Sequence, residues 1–159
     1  MMKNHRKIAV HILLLAAVLS LICGCESKPE KNLNLVDFYA ELTDKYKIPE
    51  MVEISPRKAE LYYGIDVEKC CQLLLRRNMD GQSVDEVWLI QTANAPEAER
   101  LLKTAQSRME QICRETENYF PDRYAVARKG KAVSAGKYVG LFVSEQADEM
   151  AEEFLKQLK

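Results

Sequence analysis

Ser55-Pro56-Arg57-Lys58 sets a hydroxyl and an amine three residues apart. On a helix that is one turn, the S-x-x-K spacing in which a lysine helps a serine attack an acyl group. The same chemistry needs an S-D-N and a K-T-G run, and the chain has neither. A serine ahead of a proline also reads as a helix N-cap, with the two cations left in water. Paired carboxylates can hydrolyse glycosides without histidine. The acids here, such as Asp148, Glu149, Glu152 and Glu153, fall mostly on the polar face of a helical segment, where solvation accounts for them. Cys70, Cys71 and Cys113 are an odd set with no C-x-x-C spacing, so neither a disulfide framework nor a zinc site is expected. Two or all three of them read as small buried apolar residues, with one bridge from the Cys70-Cys71 pair to Cys113 as the alternative. No Gly-rich phosphate loop and no EF-hand pattern is present.

The most specific chemistry lies near the N-terminus. Met1 to Lys7 carries three basic side chains besides His5 and no acid, and an almost wholly apolar run follows to Ile22. A basic start, a short apolar core and small residues before a cut site make a secretory signal. The run is shorter than the roughly 20 residues that a spanning helix needs. Ile22-Cys23-Gly24-Cys25 resembles the lipobox of bacterial lipoproteins. The resemblance implies cleavage before Cys25 and a diacylglycerol, with palmitate-type chains, on its sulfur. Residues 1–24 are therefore expected to be a signal peptide, 25–32 a polar tether and 33–159 one domain, lipid-anchored on the extracytoplasmic face of the cell membrane.

What remains after residue 24 narrows the function. Both histidines, His5 and His11, fall in the expected signal, so the mature chain has none. Ser-His-Asp and Cys-His nucleophiles and His-ligated metals are excluded, and no cofactor is implied. The mature chain keeps 20 Lys+Arg against 24 Asp+Glu, a net charge of −4, which disfavours nucleic acid as a partner. Arg123, Arg128, Lys129, Lys131 and Lys137 nevertheless follow one another with no acid between them. A solvated loop accounts for them; an anionic polymer or headgroup is the functional alternative.

The positioning elements follow from periodicity. Asn34 can cap a first helix that turns Leu35, Tyr39, Leu42 and Tyr46 to one side. Residues 51–54 are briefly extended, and a short helix after Ser55-Pro56 stops at Gly64. Residues 70–78 and 84–92 read as a hairpin turning at Asp80-Gly81. Asn94-Ala95-Pro96-Glu97 starts the longest helix, with Leu101, Leu102, Ala105, Met109, Ile112 and Cys113 in its stripe. Residues 122–130 look irregular. A second hairpin, 132–135 with 138–144, and a last helix, 146–158, complete the chain. The second hairpin's Val139-Gly140-Leu141-Phe142 faintly echoes Val87-Trp88-Leu89-Ile90.

The expected fold is α+β: a four-stranded antiparallel sheet in hairpin-helix-hairpin-helix order, both C-terminal helices on one face, N-terminal helices besides. Val87 and Leu89 are expected against Leu101, Leu102 and Met109. Trp88, Ile90, Tyr138 and Phe142 would then form an aromatic patch on the other face. Either the N-terminal helices cover it or a partner does, which makes Trp88, Tyr138 and Phe142, with Arg128, Lys129 and Lys131, the binding candidates. Tyr62-Tyr63-Gly64-Ile65-Asp66, Asp85-Glu86-Val87 and Gly136-Lys137-Tyr138-Val139, with the lipobox, resemble a family of small clostridial-type lipoproteins carrying a domain of unknown function (DUF4358-like). The resemblance spans roughly 33–158 and implies a surface lipoprotein with no assigned activity. The expected role is a non-enzymatic binding or assembly module that meets a cell-envelope protein or an anionic polymer. A small envelope enzyme, using carboxylates or the Ser55-Lys58 pair, is the alternative.

Overall fold

The computed structural model describes residues 32–159; Cys25, the signal and most of the tether lie outside them. Five α-helices and five strands are present among the described residues. The chain runs α1 (Leu35–Lys45), β1 (Val52–Glu53), α2 (Pro56–Tyr63), a short 3-10 turn (Val67–Lys69), β2 (Cys70–Arg77) and β3 (Glu86–Thr92). It continues through α3 (Ala95–Thr116), α4 (Pro121–Ala127), β4 (Lys131–Ala135), β5 (Tyr138–Val143) and α5 (Ala147–Gln157). The sheet is antiparallel throughout, in the order β1-β2-β3-β5-β4. The expected four strands gain a fifth, because the extended piece after Met51 pairs with the end of β2, Val52 opposite Arg77. The stretch read as irregular contains α4, started by Pro121.

Register decides the faces. Trp88 lies opposite Leu141 and Leu75, and Ile90 opposite Val139 and Leu73. Residues opposite each other share a face. One core therefore joins Trp88, Ile90, Leu75, Val139 and Leu141 to Ala98, Leu101, Ala105 and Ile112 of α3. The other joins Val87, Leu89, Tyr138 and Phe142 to Phe38 and Leu42 of α1 and to Met150 and Phe154 of α5. Three expectations are corrected by this. Val87 and Leu89 pack on α1 and α5 rather than against Leu101, Leu102 and Met109 of α3. The aromatic residues do not share a face, since Trp88 faces α3 while Tyr138 and Phe142 face α1 and α5. The two C-terminal helices do not share a face either, since α3 and α5 cover opposite sides. The even-odd alternation within each strand was legible, but the offset between strands was not. The two echoing tetrapeptides are direct antiparallel neighbours, Val87 opposite Phe142 through Ile90 opposite Val139.

Local chemistry sets the helix ends. Asn34 Oδ1 accepts from the backbone N–H of Val36 at 3.0 Å and of Asp37 at 3.4 Å. Asn94 Oδ1 accepts from Glu97 N at 3.0 Å. Gly64 closes α2 at φ +65, and its N–H reaches the carbonyls of Ala59 and Glu60. On the α5 side Gly140 is required by space: a Cβ there would stand 2.7 Å from the Phe142 ring and 3.1 Å from Phe154. Ser55 occupies the N-cap of α2 but makes no capping hydrogen bond. Asn34→Ala and Asn94→Ala are expected to cost about 0.5–2 kcal/mol each in urea denaturation. Ser55→Ala should fall below that range, because no capping bond is lost.

Candidate functional site

Arg108 sits where an apolar residue would be expected, three residues after buried Ala105 and four before buried Ile112 on the sheet-facing stripe of α3. Its partner is Glu86, the first residue of β3, on the same side as Trp88. Arg108 Nε donates to both carboxylate oxygens at 3.1 Å, and Nη2 donates to Oε2 at 2.8 Å. Trp88 Nε1 donates to Glu86 Oε1 at 2.7 Å. The two charged side chains are 3% and 12% exposed, so this is a buried pair of bidentate geometry. The Tyr63 ring lies 5.4 Å from the guanidinium and 4.8 Å from the Trp88 ring. Arg77 Nη1 donates to the Tyr63 hydroxyl at 3.2 Å. Burial, with Glu86 close by, raises the Tyr63 pKa, so the phenol stays protonated.

Glu86 takes the Nε and Nη2 side of the guanidinium. Nη1 has no hydrogen bond among the described residues. Two cavities flank this arginine. One, of about 200 Å³, is walled by the β2–β3 loop, with Arg77, Ser83, Asp85 and Glu115 among its lining. The other, of about 240 Å³, is a groove between α2 and α3. Arg108 lines both, and Glu86 lines the first.

The sequence-derived candidates are distributed differently. Trp88, Tyr138 and Phe142 are at most 1% exposed, and packing within the two cores accounts for all three. Lys131 pairs with Asp148 at 2.7 Å and Lys129 with Glu145, while Arg128 lies over the Tyr124 ring. The basic segment is thus partly neutralised by acids at and before the start of α5. Ser55 and Lys58 are both exposed. Cys70 and Cys113 are half-buried free thiols beside the α3-side core, with burial pushing the Cys70 thiol up to about 11. Cys71 is exposed, because it is the extra residue where the β2–β3 register slips. No group of His, Cys, Asp and Glu among the described residues could hold a metal, and no described helix is long and apolar enough to cross a membrane.

Residues 44–144 match the sequence model of a family described as a domain of unknown function, DUF4358. The chain belongs to this family. The matched span carries β1 to β5 with α2, α3 and α4, and therefore every residue of the Arg108 site. Neither a curated protein nor a solved structure matches the chain.

Two outcomes are expected at the site. Arg108→Met strands Glu86 below the surface and should cost about 3–5 kcal/mol, whereas Glu86→Gln combined with Arg108→Met should recover much of that loss. A double variant as unstable as the sum of the singles in chemical denaturation would show that the two groups are not coupled. Asp85 accepts from Ser83 and Ser144, yet burial dominates and raises its pKa. The folded chain then holds this proton more tightly than the unfolded chain. Ionising Asp85 therefore costs stability above its folded pKa, and the cost disappears as pH falls below the unfolded value. Asp85→Asn should stabilise the domain at pH 7 and flatten its acid-side stability profile. A less stable variant at pH 7 would mean that the serine hydrogen bonds outweigh burial.

Proposed function

We propose that the chain is a non-enzymatic binding or assembly module, tethered to the outer face of the cytoplasmic membrane by lipid on Cys25. The anchor is supported by the basic start, the short apolar run and the Ile22-Cys23-Gly24-Cys25 sequence alone. Two acyl chains hold a protein stably where one does not, at about 0.8 kcal/mol per buried CH₂.

The observation that carries the binding role is Arg108, fixed on one side by Glu86 and unbonded on the other between two cavities. A guanidinium stays protonated at any physiological pH, so it binds anions and transfers no protons. Glu86 is unsuited to act as a base, because both of its oxygens already accept from Arg108 and one also from Trp88. Ser55 and Lys58 lie on an exposed helix start with no third group to orient them. The partner is a component of the cell envelope, protein or anionic polymer, and not nucleic acid, given the net charge of −4.

Feeding cells a clickable palmitate tests the anchor. Cys25→Ala should abolish labelling and leave the precursor uncut at this site. Labelling that persists in the variant would remove Cys25 as the attachment point.

A further inference from the structure

We propose that the groove between α2 and α3 is a subsite for an oxyanion-bearing saccharide, one that carries a carboxylate or a phosphate. The assignment rests on the binding role above and specifies its ligand.

Thr104, Ser107, Arg108, Gln111 and Arg114 follow one another at helical spacing and form one wall. They extend over about 15 Å at 1.5 Å per residue, long enough for a short oligosaccharide. Tyr62 of α2, 62% exposed, lines the groove with Tyr63 and Trp88. No carboxylate among the described residues lines the groove.

The two arginines ask for an anion. The Arg108 guanidinium is held in place by the Glu86 contact, so little side-chain entropy is lost when it engages a ligand. Arg114 reaches only Glu110, at 3.7 Å, and both side chains are about two-thirds exposed at 68% and 66%. A contact that long and that wet is one a ligand oxyanion can displace. Planar guanidinium groups match carboxylate and phosphate alike.

The remaining lining asks for more than an anion. Hydroxyls of Thr104 and Ser107 and the amide of Gln111 both donate and accept. Thr104 leans on its own helix, 3.4 Å from the Arg100 carbonyl, and Gln111 gives one N–H to Glu115 at 2.7 Å. Their other hydrogen-bonding capacity faces a ligand with many hydroxyls better than a bare peptide carboxylate. An exposed flat aromatic beside such a row fits the C–H face of a sugar ring, where apolar contact and a polar rim are needed together.

Trp88 is the single tryptophan of the chain and lines this groove, so its emission reports occupancy. The full-length protein in detergent is titrated with trigalacturonate, phosphorylated maltotriose, neutral maltotriose and triglutamate. At least one anionic sugar should shift Trp88 emission saturably, with affinity at least tenfold above that for maltotriose and triglutamate, and should weaken as salt rises. Which of the two binds identifies carboxylate or phosphate as the natural group. Arg114→Gln and Tyr62→Ala, both at exposed positions, should each weaken binding about tenfold with the urea midpoint unchanged. Equal binding of maltotriose would overturn the oxyanion requirement, and equal binding of triglutamate the saccharide. The absence of any response would overturn the site itself. Release of phosphate or of shorter sugars during the titration would instead refute the non-enzymatic role and leave the saccharide site standing.

Discussion

A glutamate and an arginine face each other across the seam between sheet and helix, and the α3 side of the domain is arranged around that meeting. Glu86 heads β3, every residue of which is buried. Arg108 reaches it from the apolar stripe of α3. Withdrawing both charges from water costs several kcal/mol per ion, and their attraction offsets that only with excellent geometry. The geometry is of that kind, with three guanidinium contacts and the indole N–H on the carboxylate. An apolar pair of similar volume could fill the seam at least as well. What the charged pair adds is direction. It fixes where α3 lies along β3, and it presents one unbonded guanidinium nitrogen at a defined place.

Around that seam, the sheet is closed on both sides. β3 and β5 alternate faithfully, and every position on either strand is buried. An antiparallel sheet usually leaves one face wet; here α3 covers one face of the central strands while α1 and α5 cover the other. With both faces apolar, the inward side of each strand cannot be chosen from pattern alone. That is why Trp88 and Tyr138 were expected together and lie on opposite faces. The missing information was the register between β3 and β5, which no hairpin joins and which sets Gln91, not Trp88, on the face of Tyr138.

The elements themselves were largely legible where local chemistry speaks. Asn34, Asn94 and Gly64 each end a helix as their side chains or backbone freedom demand. The long stripe of α3 was read correctly except at the residue that matters most. Arg108 falls outside any stripe read from apolar periodicity, because a cation carries no apolar signal. The signal was present in its spacing, midway between Ala105 and Ile112, and in Glu86 sharing its strand parity with Trp88. Recognising the pair required knowing that β3 and α3 pack together, which no local pattern encodes. β1 was legible only as an extended piece for a related reason: two residues become a strand only because the edge of β2 away from β3 is open to them, Val52 opposite Arg77.

The stem enters the domain far from the arginine. Leu33 N donates to the Tyr138 hydroxyl at 3.1 Å, and Gln72 ties Leu33 O and Leu35 N to Gln91. These contacts clasp the incoming chain where β2 begins and β3 ends. Glu86 lies at the other end of the same ladder, opposite Arg77. Five residues of strand separate Gln91 from Glu86, which is roughly 17 Å at about 3.4 Å per residue. The clasp is built from side-chain amides and a phenol on the α1 side of the sheet, whereas the arginine lies on the α3 side. The Leu33 clasp and the Arg108 cavities therefore lie on opposite sides of the sheet and toward opposite ends of the ladder. α1 packs on the side of the sheet away from α3 and so does not cover the Arg108 side.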